Sequence, residues 1–327
     1  WIYYNNNVIN ERLSGNEREQ LQVDYENQYS HLKKRNSPRI TSVNVNLDLF
    51  PETRDFKAKG EFILKNKTEQ PIDSILVNLN DSYIQSYALD KKGKAILKDT
   101  VYDFDIFKFE EDLAPGEEVT FTFNMENKPN TLLNNNSPVR TNGTFINNRI
   151  FPSFGYSEGY EISNNKTREK YDLEPKERMK SPYDSTALGN TYLTDDADWI
   201  DFETTVSTSK DQIAIAPGYL QEEWEDGNRK YFHYKMDKKI LNFYAFNSAE
   251  YEVYEDQWND VNLQVFYHKP HDYNIDRMIS GAKKALAYYS ENFSPYQFRQ
   301  LRILEFPLTS GSFAQSFANT VPYSEAI

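Results

Sequence analysis

The sequence predicts a mainly β protein, in which a large antiparallel β-sandwich or saddle-shaped domain precedes the first helix and strands of an α/β domain. Two observations predict this order. Short segments in which apolar and polar residues alternate recur between turn signals from residue 38 to residue 267, as expected for half-buried antiparallel strands. From residue 271 the apolar spacing changes to three and four, which is typical of an amphipathic helix.

A charged helix is predicted ahead of the first strand. Within residues 11–35, Leu21, Tyr25, Gln28 and Leu32 recur at spacings of three and four and form a narrow stripe. The residues alone favour a solvated helix that packs on the protein body. A stalk that rises from a membrane segment is the other interpretation. No apolar run of the sequence reaches the roughly 18 residues that a membrane helix needs.

The β-domain is predicted from its alternating segments. Val43, Val45, Leu47 and Leu49 alternate with polar residues, and a turn at 51–53 leads into a second alternating segment. Together the two segments predict a hairpin with one wet face. The further predicted strands are 119–125, 200–206, 212–220, 230–236, 242–253 and 261–267.

Two regions depart from this alternation. Residues 157–197 are polar and rich in charge and proline, which predicts irregular structure or short helices. Residues 275–292 have helical spacing, and Pro295 stops that helix. A strand at 300–306 and an extended segment at 313–325 follow. The predicted division of the chain is therefore a helical segment at 1–36, a β-domain at 37–267, and the start of a second domain at 268–327.

Composition narrows the classes of function. The net charge is −13, which argues against nucleic acid as a partner because a phosphate backbone attracts Lys and Arg. The chain has no cysteine, so disulfides, thiolate metal sites and a cysteine nucleophile are excluded. Neither a G-x-S-x-G elbow nor a Walker A loop is present.

The chain has four histidines, the residue type that most often binds zinc together with carboxylates: His31, His233, His268 and His271. The last two have HxxH spacing, but Pro270 lies between them and prevents a shared helical face. A loop at the domain junction is therefore favoured over a metal site there. A zinc hydrolase needs two imidazoles one helical turn apart and a third ligand, and no HExxH motif occurs. The sequence thus predicts no catalytic residue and no metal ligand.

Several segments, in order along the chain, carry a resemblance to a known family. They are RIFP at 149–152, ADWIDFE at 197–203, AKKALAYYSENFSPY at 282–296, LRILEFP at 301–307 and NTVPYSE at 319–325. In this order they resemble the N-terminal β-domain and the opening of the thermolysin-like catalytic domain of the aminopeptidase N family, which are gluzincin zinc metallopeptidases. The resemblance spans residues 38–327.

A bacterial subgroup, in which the peptidase region follows a transporter-like membrane part, gives the nearer resemblance. The segments WIYYN at 1–5, FPSFGY at 151–156, IAIAPGY at 213–219 and FAQSF at 313–317 resemble that subgroup. The resemblance implies that residues 1–36 are a juxtamembrane stalk. It also implies an extracytoplasmic location, with a membrane anchor in the parent protein. The start at Trp1 rather than Met agrees with a piece of a longer chain.

The resemblance also implies where a peptide would bind. Typical members carry Gly-Ala-Met-Glu-Asn on an edge strand, and Phe313, Ala314, Gln315, Ser316 and Phe317 occupy those positions here. Ser316 stands where the family has the Glu that receives the substrate amino terminus, and a hydroxyl cannot supply that charge. The edge strand could still bind a peptide through its backbone. In the alternative interpretation, the two phenylalanines simply pack inward.

A loop of the β-domain is the second implied contact with a substrate. Thr141, Asn142 and Gly143 replace the family's Gln- or Glu-bearing loop. The resulting hypothesis is an N-terminal fragment of an aminopeptidase-like enzyme that forms one wall of the peptide cleft, is inactive alone and has no cofactor. Zinc is expected in the parent if HExxH follows. The alternative is a non-catalytic extracytoplasmic scaffold of a transporter-linked protein.

Overall fold

The computed structural model describes Tyr4 and residues 13–80, 82–127, 137–176, 181, 183–185 and 198–326. It confirms the mainly β fold class. The helices are α1 (Gly15–Tyr29), α2 (Asn165–Lys170) and α3 (Ile275–Asn292). The strands are β1 (Arg39–Phe50), β2 (Asp55–Lys65), β3 (Ile72–Asn78), β4 (Tyr83–Leu89), β5 (Gly93–Asp99), β6 (Phe104–Leu113), β7 (Glu118–Asn127), β8 (Thr144–Asn147), β9 (Ser153–Phe154), β10 (Trp199–Ser209), β11 (Ile213–Ile215), β12 (Tyr219–Asp226), β13 (Arg229–Lys235), β14 (Ile240–Leu241), β15 (Ala245–Ala249), β16 (Glu252–Trp258), β17 (Val261–Tyr267), β18 (Gln300–Phe306) and β19 (Thr320–Ser324).

The largest sheet has the strand order β12-β13-β10-β1-β2-β7-β4, and β14 pairs with β10. The predicted hairpin is β1 and β2, in which Val45 lies opposite Gly60 and Leu47 opposite Ala58. Among the described strands of this sheet, β1 and β10 form the parallel pair. Alternation explains the burial, because Val45 and Leu47 are fully buried whereas Asn46 between them is exposed.

Two smaller sheets complete the core of the β-domain. Their orders are β5-β6-β3-β9 and β11-β15-β8. One hydrophobic cluster contains Phe62 of β2, Val77 of β3, Ile146 of β8 and Phe246 of β15, so the three sheets bury their apolar faces together. Burial of that apolar surface is the main force that holds sheets face to face.

Helix α1 packs on the β-domain. Ser14 and Glu17 cap its start reciprocally, which satisfies two amide donors of the first turn. Tyr25 and Tyr29 are buried against Phe104 of β6. Residues 1–12 lie outside the described residues apart from Tyr4, so the assignment of 1–36 as a juxtamembrane stalk stays a prediction. Within the described part of the chain, no helix has both the length and the apolar character that a membrane crossing requires.

The polar region 157–197 contains short helical elements where it is described. A 3₁₀ turn spans Glu158–Tyr160, and α2 follows. Arg168 of α2 is buried and donates two hydrogen bonds to the Glu26 carboxylate, at 2.6 and 2.8 Å. This bidentate pair fixes α2 against α1.

The last sheet has the order β16-β17-β18-β19. Strands β17 and β18 are parallel and joined by α3, whose buried face of Ile275, Ile279 and Leu286 packs on β17. Buried Arg302 of β18 donates to the backbone oxygens of Ala216 and Gly218 in the β-domain. The two predicted domains are therefore in direct contact.

Two predicted strands are each divided in the structure. Residues 212–220 form β11 and the start of β12, because Gly218 adopts a φ of +107° that interrupts the strand. Residues 242–253 likewise contribute to both β15 and β16. The extended segment predicted at 313–325 is also bent, since Asn319 has a φ of +47° and turns the chain into β19.

Candidate functional site

The segment Phe313–Phe317 forms a short antiparallel pairing with β19. The Gln315 amide donates to the Pro322 oxygen at 3.0 Å, and the Phe317 amide donates to the Thr320 oxygen at 2.8 Å. Phe313 accepts a hydrogen bond from the Ser324 amide at 2.9 Å. Alternate residues of the segment thus turn their backbone groups toward β19.

The outer edge of this segment is exposed. Because the alternate residues face β19, the backbone groups of Ala314 and Ser316 point the other way. Both residues are exposed to solvent. A chain that arrived in extended conformation could therefore meet unused donors and acceptors there.

The two phenylalanines of the segment pack inward on Phe145 of β8. The Phe145 ring lies 5.5 Å from the Phe313 ring and 6.3 Å from the Phe317 ring, and it stacks on Phe306 at 4.9 Å. Phe317 is buried and also lies 4.5 Å from the ring of Phe243. These side chains anchor the segment and leave its backbone edge at the surface.

The loop at Thr141, Asn142 and Gly143 precedes β8, and hydrogen bonds from Gln212 and Glu250 fix it in place. Gln212 donates its amide to the Thr141 oxygen at 2.7 Å, and the Asn142 side-chain oxygen accepts from the Glu250 amide at 3.0 Å. Phe145 comes two residues after Gly143 and packs on Phe313. The loop at 141–143 and the segment 313–317, the two implied substrate contacts, are therefore neighbours in the structure.

Gly143 of this loop lies close to the second domain. Its φ is +95°, and a Cβ atom at this position would lie 2.3 Å from Cγ of Pro307 and 3.6 Å from Cε1 of His268. Only glycine combines that backbone conformation with such a close approach.

His268 and His271 lie beside a buried carboxylate that the sequence analysis did not connect with them. The Glu305 side chain is 2% exposed. Its Oε2 atom lies 3.2 Å from Nδ1 of His268, and its Oε1 atom contacts Nδ1 of His271. Among the described residues, these three form a group whose ligand atoms all lie within 4.8 Å of one another.

Hydrogen bonds hold the Glu305 carboxylate in its ionised form. The backbone amide of His268 donates to Oε2 at 2.9 Å. Burial acts to raise the pKa of Glu305, but the hydrogen bonds from His268 and His271 outweigh it and keep that pKa below its usual value. The group is thus a preorganised anion next to two imidazoles.

A signal for this convergence was present in the sequence. The chain from 261 to 306 reads as strand, helix and strand, which predicts a parallel pair with a helical crossover. In the observed register Phe266 lies opposite Leu304. His268 comes two residues after Phe266 and Glu305 one residue after Leu304, so both lie at the same end of the two strands. Glu305 also interrupts an apolar run, which marks it as a buried charge in need of partners.

Comparison with known proteins assigns the architecture. No family model matches the sequence, and no curated protein matches it. Among solved structures, the M1 zinc metallopeptidase from Deinococcus radiodurans is similar with a TM-score of 0.58 at 13% identity. The chain has the fold of the M1 zinc metallopeptidases. The M1 likeness covers 90% of this chain and 62% of that one.

A second similar structure is a substrate-bound form of an M1 enzyme. A point mutant of the same enzyme, bound to a Tyr-Ser-Ala substrate, has a TM-score of 0.56 at 13% identity. The alignment covers 89% of this chain and 61% of that one. The present chain therefore spans about three fifths of the M1 proteins that it resembles.

Proposed function

We propose that the chain forms the peptide-binding wall of an M1-type zinc aminopeptidase, and that a longer parent protein carries the rest of the catalytic domain. The observation that carries the proposal is the exposed backbone edge at Ala314 and Ser316, in a chain with the M1 fold. Short peptides are the proposed substrate class, since one M1 relative was solved with a tripeptide substrate.

The proposed task of this wall is to align a peptide. An extended peptide would pair with the edge at 314–316 through main-chain hydrogen bonds, which gives affinity without dependence on its side chains. The loop at Asn142 and Gly143 would border the same cleft. Fixed alignment lowers the entropic cost of reaching the transition state.

The zinc of this activity is proposed to reside in the parent protein. When bound at an HExxH helix, zinc activates a water molecule and polarises the peptide carbonyl. That motif is absent from the sequence of 327 residues. We therefore expect the chain to bind peptides but not to hydrolyse them.

Ser316 bears on the choice between an active enzyme and the non-catalytic scaffold. A serine hydroxyl cannot balance the charge of a substrate ammonium group, so we propose weak selection for a free amino terminus. The solved structures from Deinococcus radiodurans that the chain resembles are zinc metallopeptidases, and the scaffold alternative is not favoured.

A pair of variants at one position tests the backbone-pairing mode. Ser316→Pro removes the outward amide, whereas Ser316→Ala retains it and removes only the hydroxyl. Fluorescence anisotropy with labelled short peptides should show binding to the wild type and to Ser316→Ala, and about a tenfold loss for Ser316→Pro. Thermal unfolding of each variant verifies the fold. Equal binding by all three proteins would contradict the proposal.

A third variant tests the amino-terminal selectivity. Ser316→Glu restores a carboxylate at the position where the family receives the substrate ammonium. It should bind a peptide with a free amino terminus more tightly than the acetylated peptide, whereas the wild type should show little difference. An unchanged ratio would remove Ser316 from the proposed contact.

An extracytoplasmic, membrane-anchored parent is proposed from the resemblance of the segments at 151–156, 213–219 and 313–317 to the transporter-linked subgroup. The proposed location is the periplasmic or cell-surface side of the membrane, and protease accessibility of the parent protein in spheroplasts, from which any outer membrane has been removed or opened, tests it. Resistance in spheroplasts and cleavage only after lysis of the inner membrane would contradict it.

A further inference from the structure

We infer that His268, His271 and Glu305 bind a divalent transition-metal ion of the zinc type. The donors come from two elements that are far apart in sequence. His268 caps the 3₁₀ helix Lys269–Asn274, His271 lies within that helix, and Glu305 lies near the end of β18. Two imidazoles and one carboxylate form a donor set that zinc uses in proteins, with a fourth position left for water.

The distances suit a small ion. Zinc bonds of roughly 2.0–2.2 Å place tetrahedral ligand atoms roughly 3.3–3.6 Å apart. Nδ1 of His268 and Oε2 of Glu305 are already 3.2 Å apart, and no separation within the group exceeds 4.8 Å. The His271 side chain is 32% exposed, so it can rotate to close the remaining distance and leave a path for water.

The surroundings orient the donors. The Tyr251 hydroxyl donates to the backbone oxygen of Glu305 at 2.7 Å, and its ring lies 5.7 Å from the His268 ring. The His268 amide holds one carboxylate oxygen. Outer contacts of this kind fix ligand orientation and raise metal affinity. The backbone at His271 also leaves helical geometry, with φ −108° and ψ 36°, which lets its ring turn back to Glu305.

Electrostatics favour a cation in this place. Within the described residues, the ion-pair partners of the Glu305 carboxylate are the two imidazoles, and no Lys or Arg competes. With no described Lys or Arg paired to it, the buried carboxylate can attract a metal ion, and burial weakens the screening of that attraction.

A metal ion here would join three parts of the molecule. It would link the 3₁₀ helix Lys269–Asn274 to β18. The loop that contains Gly143 is the third part, because Gly143 lies against Pro307 and the His268 ring. The loop at 141–143 and the domain junction would therefore be fixed together. The inferred role is a structural clamp at the domain junction.

Isothermal titration of the untagged 327-residue chain with ZnCl₂ tests the inference. We expect one zinc ion per chain, and cobalt in its place should give the visible absorption of a four- or five-coordinate site. Mg²⁺ should not bind, because it prefers an all-oxygen octahedral shell. His271→Ala should lose more than about 100-fold in zinc affinity, since loss of an outer contact alone costs 10–100-fold.

His233→Ala is the matched control, because His233 also contacts a carboxylate, Glu203, but has no second imidazole. It should bind zinc as the wild type does. Glu305→Gln keeps the shape of the side chain and should lose the cobalt spectrum, with circular dichroism as the test of folding. Absence of zinc binding by the wild type, or undiminished binding by His271→Ala, overturns the inference. Neither outcome bears on peptide binding at Ser316.

Discussion

Among the described residues, Glu203 and Glu305 are carboxylates that contact histidine, and their settings differ. Glu203 lies on β10 at the sheet surface, with its side chain 33% exposed, and contacts His233 and Lys235 at 2.7 Å each. Glu305 is 2% exposed and contacts His268 and His271. The first is an ion pair in water. The second is a buried anion between two imidazoles.

The difference shows how burial and partner type decide what a carboxylate can do. The Lys235 ammonium already neutralises Glu203, and solvent screens the pair, so its net contribution to stability is small. Glu305 has no permanent cation among its described ion-pair partners and must satisfy its oxygens with the hydrogen bonds of the histidines. Only the second arrangement offers three converging metal donors.

The largest expected effect comes from deleting each carboxylate in the metal-free protein. Glu305→Ala leaves the His268 amide and two imidazoles without their acceptor and opens a cavity, so the free energy of unfolding should fall by about 3 kcal/mol. Glu203→Ala should cost less than about 1 kcal/mol. Denaturant unfolding at neutral pH measures both. Equal losses would erase the distinction between the two settings.

Zinc should stabilise the protein through the buried carboxylate only. At a free zinc concentration of about 100 times the dissociation constant, the stabilisation should be about 2.7 kcal/mol. The melting temperature of the wild type and of His233→Ala should rise by the same amount and fall again with EDTA. Glu305→Gln should show no rise. A rise in Glu305→Gln would assign the zinc to another site.

The surface side of this comparison was predictable from the sequence. Strands β10 and β13 were expected as alternating segments at 200–206 and 230–236. Period-two patterns are local, and the strand pairing follows once one face of each strand must be buried. The same reasoning predicted β1, β2 and α3, because each carries its own apolar stripe.

The buried side was not predictable from local pattern. Glu305 lies 37 residues from His268 along the chain, and their meeting depends on the parallel register of β17 and β18. That register is set by packing of α3 on β17, which no short window contains. A carboxylate on the same regular element as HxxH would have indicated this group, but Glu305 comes from the strand that pairs with β17. Phe145, which unites the two implied substrate contacts, was missed for the same reason.

Two glycines extend the comparison: Gly143 lies beside the buried Glu305 group, and Gly227 lies in the turn that leads into the strand of His233. Gly143→Ala forces alanine to a φ of +95° and places its Cβ against Pro307, so we expect a loss of about 2 kcal/mol in unfolding free energy. Gly227 has a φ of +58° in the turn before β13, with no atom near its Cβ position. Gly227→Ala should cost about 1 kcal/mol. If both variants lose the same amount, the Pro307 contact does not constrain the loop.

The smallest expected effect is the acid dependence of the surface pair. Lys235 lowers the pKa of Glu203 most; partial desolvation opposes that shift, and His233 adds to it. A lowered folded-state pKa contributes stability above the unfolded value, taken as 4.5, and that contribution is lost as pH falls through the folded value. At neutral pH the unfolding free energy of the wild type should therefore exceed that of Glu203→Gln by less than about 1 kcal/mol. This difference should disappear below pH 4.5. Unfolding curves at pH 7 and at about pH 3 would measure the gap. A gap that persists in acid would mean that the amide substitution acts through packing and that the charge of Glu203 contributes nothing.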